Sequence, residues 1–80
     1  MQLVGRRIRR LRKDRRLTLP DLATSAGIQP ADLARLEKGE YRASLDVLFR
    51  ILGALEVSGE AFFAEVAKDE PAAPAGIRRL

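Results

Sequence analysis

The sequence predicts an all-α fold, a compact bundle of five short helices, on three observations. Apolar residues return at helical spacing in five separate stretches. No segment alternates Val, Ile, Thr or Tyr with polar residues, and no Asn-Gly turn is present to close a hairpin. Residues that start or stop helices also bound these stretches.

Val4, Ile8 and Leu11 stand at i, i+4 and i+7 and give a first helix running to about Arg15. Thr18 caps the second helix, with Asp21 three residues on in a capping-box position and Pro20 in the first turn. That helix ends at Gly27, which suits the left-handed position just past a helix. The third starts near Pro30 and ends at Gly39, a second such glycine. Ser44 caps the fourth, whose apolar face is Val47, Leu48, Ile51, Leu52 and Leu55. Ser58 caps the fifth, which carries Phe62, Phe63 and Val66. From Lys68 onward, "KDEPAAPAGIRRL" has two prolines and no periodicity, which predicts a flexible tail. The expected division is therefore a domain over 1–67 and a tail over 68–80, without internal repeats.

Length and composition narrow the function. Eighty residues support one modest core, since chains this short bury only about 60% of their unfolded surface. With no Cys and no His, disulfides and the usual zinc ligand sets are excluded. No cofactor is expected, and no enzymatic activity: there is no glycine-rich phosphate loop and no evident carboxylate pair in a cleft. No apolar run approaches the roughly 18 residues of a membrane span, so a cytoplasmic protein without membrane association is expected. The net charge of +4 hides an asymmetry. Residues 1–17 carry eight basic side chains against one acidic; the remainder carry seven against ten. One end is built to meet an anion.

Leu19 to Lys38 has the pattern of a helix-turn-helix. Leu22 and Ala26 face inward from its first helix, and Ile28, Leu33 and Leu36 supply the inward face of the turn and second helix. Ala23 is small where the two helices come closest, and Gly27 lets the chain reverse. Around this segment, "RIRRLR", "LT..DLA..AGI", "LARLEKG" and "SLDVLFRILGALEVS" follow in order. Over about residues 4–67 the chain resembles the Cro and phage-repressor type of helix-turn-helix domain, the XRE-like, lambda-repressor-like family. The ending "ALEVSGEAFFAEV" is also similar to small controller proteins of restriction–modification systems.

The resemblance implies a homodimer that sets its third helix, about 30–38, in the major groove of double-stranded DNA at a pseudo-palindromic operator. Base contacts are then expected from Gln29, Pro30, Ala31, Asp32 and Arg35. Arg35 suits guanine, because its fork matches two acceptors there. Ala31 suits a thymine methyl. Asp32 either accepts from a cytosine amino group or serves the helix start, as Pro30 does. The family commonly has Gln where Leu19 stands, so direct readout is thin and phosphate contacts matter more. Lys38, Gly39 and Arg42 fall where family members grip the backbone, and the hydroxyls of Thr18 and Thr24 can add to them. In helix one, like charges stand at neighbour spacing in Arg6/Arg10, Arg9/Lys13 and Arg12/Arg16, and an anion would relieve that repulsion. Some of these arginines, Arg9 and Arg16 among them, are expected on phosphate. Arg12 matches the family position that pairs with Glu37 in a structural ion pair.

Helices four and five carry more large apolar groups than one small core needs. Phe49, Phe62, Phe63 and Val66 are therefore candidates for a dimer interface. A protein-interaction module, antitoxin-like or an adaptor, remains the alternative reading, with "GIRRL" at the end of the tail as a docking peptide for a protein partner.

Overall fold

Helix boundaries follow from local chemistry almost everywhere. The computed structural model describes residues 2–69, which form α1 (Gln2–Asp14), α2 (Leu19–Ala26), α3 (Pro30–Glu37), α4 (Leu45–Leu55) and α5 (Gly59–Asp69). Thr18 Oγ1 accepts from the Asp21 N–H at 3.1 Å, and the Thr18 N–H donates back to Asp21 at 3.4 Å, a complete capping box. Ser44 and Ser58 cap α4 and α5 in the same way, accepting from the Val47 and Ala61 amides at 3.2 and 3.0 Å. Gln29 makes no side-chain cap at the head of α3, where Pro30 presets the first helical φ.

Four helices close with one device, a left-handed residue followed by an amide that reaches back five positions. Leu17 donates to the Arg12 carbonyl, Ile28 to Ala23, Glu40 to Arg35 and Val57 to Leu52, all within 2.8–3.1 Å. The left-handed residues are Arg16, Gly27, Gly39 and Glu56, with φ of 56, 72, 80 and 60°. Glycine takes this conformation freely; Arg16 and Glu56 hold it against a penalty of about 1–2 kcal/mol each. A Cβ at Gly27 would lie 3.2 Å from the guanidinium of Arg50, a half-exposed side chain that can move aside, so the left-handed φ is what calls for glycine there.

Some boundaries differ from the sequence expectation. α1 stops at Asp14, and α3 at Glu37 with Lys38 as its cap. α5 runs through Lys68 to Asp69, where the tail was expected to have begun. Neither residue opposes a helix; the first that does is Pro71. Residues 70–80, and with them the rest of the expected tail and its docking peptide, lie outside the described residues. None of the described helices is long and apolar enough to cross a membrane.

The core draws one or more buried residues from every helix, including Ile8, Leu22, Leu33, Leu36, Ile51 and Phe62. α2 packs on α4 and on α3, α1 packs on α3, and α5 closes the bundle against α1 and α4. Phe62 was expected at a dimer interface, and this is corrected: it is 1% exposed and belongs to the core. Adjacent residues on a helix point about 100° apart, so only one of Phe62 and Phe63 can face inward.

α1 and α3 meet backbone to backbone at Gly5. A Cβ on Gly5 would collide with the Leu36 carbonyl oxygen and stand 3.1 Å from Glu37 Cα. The obstacle is main chain, which cannot rotate aside. Gly5→Ala is therefore expected to lower stability by about 2–3 kcal/mol, an overpacking loss. Gly53→Ala, where a Cβ would meet nothing within 4 Å in the exposed interior of α4, is expected to raise it by about 0.5–1 kcal/mol. Urea denaturation of the two variants checks the pair, and equal signs would contradict it.

Candidate nucleic-acid interface

Helix α3 buries Leu33 and Leu36 and turns the rest of its surface outward. Pro30, Ala31, Arg35 and Lys38 are exposed, while Asp32 and Ala34 are partly so. Gln29, just before the helix, is exposed as well. Arg35 is 57% exposed by side chain, with its guanidinium 3.9 Å from Asp32 and 5.8 Å from the centre of the Tyr41 ring. Asp32 thus has two effects: its charge suits the N-terminal turn, and it stands beside the one arginine of that surface. Tyr41 drew no attention in the sequence. It lies in the loop after α3, where no periodic spacing links it to Arg35.

The end of α3 is fixed by a charge pair. Arg12 Nε donates to Glu37 Oε2 at 2.8 Å and Nη2 to Oε1 at 3.0 Å, while Nη1 reaches the Leu17 carbonyl at 3.0 Å. The Glu37 side chain is only 4% exposed. Hydrogen bonding to Glu37 holds the Arg12 pKa above its ordinary value, against the opposing effect of burial. The guanidinium therefore stays charged through the whole working pH range.

Beside this pair is a cleft of about 200 Å³ lined by Arg9, Arg12, Leu19, Ala34, Glu37 and Lys38. It brings Arg9 of α1 next to Lys38 at the end of α3. Among the described residues neither cation pairs with a carboxylate, whereas Arg12 is committed to Glu37 and Arg7 to Glu65 of α5 at 3.1 Å. Leu19 supplies an apolar wall. Thr18, Thr24, Arg16 and Arg42 are all exposed, though Thr18 Oγ1 already accepts the cap bond. Gly39 is less available: its N–H donates to the Leu36 carbonyl at 3.0 Å, and Gln2 packs over its α-carbon. The described residues contain no group of His, Cys, Asp and Glu arranged to hold a metal ion.

Elsewhere among the described residues, Leu45, Phe49 and Phe63 are the large apolar side chains left open, at 62, 49 and 38% exposure. Leu45 was missed by the sequence reading, although it lies four residues before Phe49 and so shares its helix face. Val66 is half-buried against the core. The Phe49 ring lies over Gly59, where a Cβ would come within 2.8 Å of it.

Two short helices joined at a left-handed glycine, the second buried on one side and open on the other, define a helix-turn-helix domain. The chain belongs to the helix-turn-helix family, of the phage-repressor or XRE-like type. A family model described as a helix-turn-helix domain matches residues 3–62. The immunity repressor protein of Bacillus phage phi105 is 39% identical over 62 residues, 78% of this chain. The match spans 43% of that repressor's length. Among solved structures, the clp gene regulator ClgR of Corynebacterium glutamicum superposes with a TM-score of 0.82 at 28% identity, covering 88% of this chain and 90% of that one. The restriction-modification controller protein C.AhdI of Aeromonas hydrophila gives 0.75 at 26% identity, covering 78% and 94%.

The Arg12–Glu37 geometry sets a stability expectation. Arg12→Ala strands a nearly buried carboxylate and is expected to cost about 3–5 kcal/mol, enough to unfold much of a domain this small. Replacing both residues by Met should recover most of the loss, because no charge is left without a partner. Chemical denaturation of the single and double variants measures the difference.

Proposed function

We propose that this chain is a transcriptional regulator that binds double-stranded DNA as a homodimer, with α3 in the major groove. The observation that carries the reading is the outward surface of α3, where Pro30, Ala31 and Arg35 stand open beside the cationic rim of Arg9 and Lys38. Arg35 is the residue suited to a guanine edge, and Gln29, Ala31 and Asp32 stand at the head of the helix, about one turn or more before it. Arg9, Lys38, Arg42 and Arg16 supply phosphate contacts, with the hydroxyls of Thr18 and Thr24. Gly39 has no role in this set, since its amide is engaged. Arg12 and Glu37 act by holding α3 in place.

The names of the relatives support this reading: a repressor, a gene regulator and a controller protein. The protein would work in the cytoplasm, where a bacterial or phage operator is found, and without catalysis or a cofactor. Recognition by one short helix is weak, so two half-sites about one turn of DNA apart suit a two-fold dimer and a pseudo-palindromic operator. Leu45, Phe49 and Phe63, with Val66 at their edge, form the surface we assign to that dimer.

Three measurements test the proposal. Duplex affinity should fall steeply with salt, with a log–log slope of about −0.9 for each phosphate neutralised. Against that background, Arg35→Ala should weaken operator binding by about 10-fold while leaving non-specific binding nearly unchanged. No duplex binding at low salt would favour the protein-interaction module instead. For the dimer, Phe49→Lys is expected to give a monomer in analytical ultracentrifugation, and operator binding should weaken with it.

A further inference from the structure

Arg35 is not a free side chain in this fold. Its Nη1 is 3.9 Å from Asp32 Oδ1, one turn earlier, and its Cζ is 5.8 Å from the Tyr41 ring centre. Tyr41 is itself half-buried and packed against the core, so the ring is a fixed platform and not a second mobile group. A long arginine on a surface helix normally samples many rotamers, and that freedom is lost when its fork engages two acceptors on a base. We propose that Tyr41 is a positioning residue for sequence readout: its ring holds the Arg35 guanidinium over the α3 surface before the duplex arrives.

The chemistry suits that task. Attraction to the ring's quadrupole uses the charge of the guanidinium and no strong acceptor, so the N–H donors stay available for a base. Asp32, at the outer limit of an ion pair and itself partly exposed, restrains the fork from the other side without closing it off. Ordering that happens during folding need not be repeated on binding, which is how preorganisation raises affinity for the matching sequence. This inference rests on the reading that α3 meets base edges.

The test uses a duplex recovered by the wild-type protein from a random-sequence pool, and a scrambled duplex of equal length, at one salt concentration. Tyr41→Leu, which keeps apolar bulk and loses the aromatic face, should lower the ratio of the two affinities by about 2- to 5-fold. Tyr41→Phe should leave that ratio unchanged. In an Arg35→Ala background, Tyr41→Leu should no longer alter it, because the residue acts only through Arg35. Equal losses on both duplexes, or the same drop without Arg35, would overturn the positioning role while leaving the regulator intact. If the pool yields no preferred duplex, both readings fall. A measurement on the wild type keeps the idea exposed even if Tyr41→Leu does not fold. The Arg35 Cδ protons should resonate upfield of their unstructured position through the Tyr41 ring current, and unshifted protons would rule it out.

Discussion

The bidentate pair between Arg12 and Glu37 determines where α3 can be. Apolar packing between two helices tolerates sliding and rotation, because burial has no direction. A planar fork meeting a carboxylate at 2.8 and 3.0 Å does not. Its third nitrogen holds the Leu17 carbonyl, so one side chain of α1 ties the end of α3 to the segment that leads into α2. At Gly5, the main chains of α1 and α3 are in contact at Leu36 and Glu37, the same end of the helix. α3 is anchored at its last turn by a charge pair and a steric fit. Its first turn, with Pro30 and Ala31, is left open to solvent.

The remaining bundle is held by short-range devices, as a domain this small requires. Disulfides and the usual zinc ligand sets are excluded without Cys or His. Each helix is about two to four turns long, too short to persist alone in water. Side-chain caps at the heads of α2, α4 and α5 and left-handed closures at four helix ends satisfy amides and carbonyls that would otherwise lack partners. At Gly27 the closure is also the turn of the helix-turn-helix.

The basic residues of α1 resemble one another in sequence and differ in use. Arg7 is drawn to Glu65 on α5, Arg12 is consumed by Glu37, and Arg9 lines the cleft with Lys38. The positive charge of the first seventeen residues is therefore not one continuous patch. Part of it is structural and part is presented beside α3. The like-charge spacing along α1 is thus offset in part by carboxylates on other helices, in addition to any anion outside.

By itself, the sequence determined what depends on near neighbours. Helix class, caps, the turn at Gly27 and the inward faces of α2, α3 and α4 all follow from residues a few positions apart, where spacing is geometry. The exposed surface of α3 and its Arg35 were legible for the same reason. Gly5 in the first helix carried no signal of its purpose in the sequence. Tertiary structure decided whatever depends on two segments meeting. It chose Phe62 over Phe63 for the core, set Gly5 against Leu36, gave Arg7 and Arg9 different surroundings, and brought Tyr41 to Arg35. These outcomes depend on where helices lie relative to one another, and that is fixed by contacts between residues remote in the chain, which local periodicity does not encode.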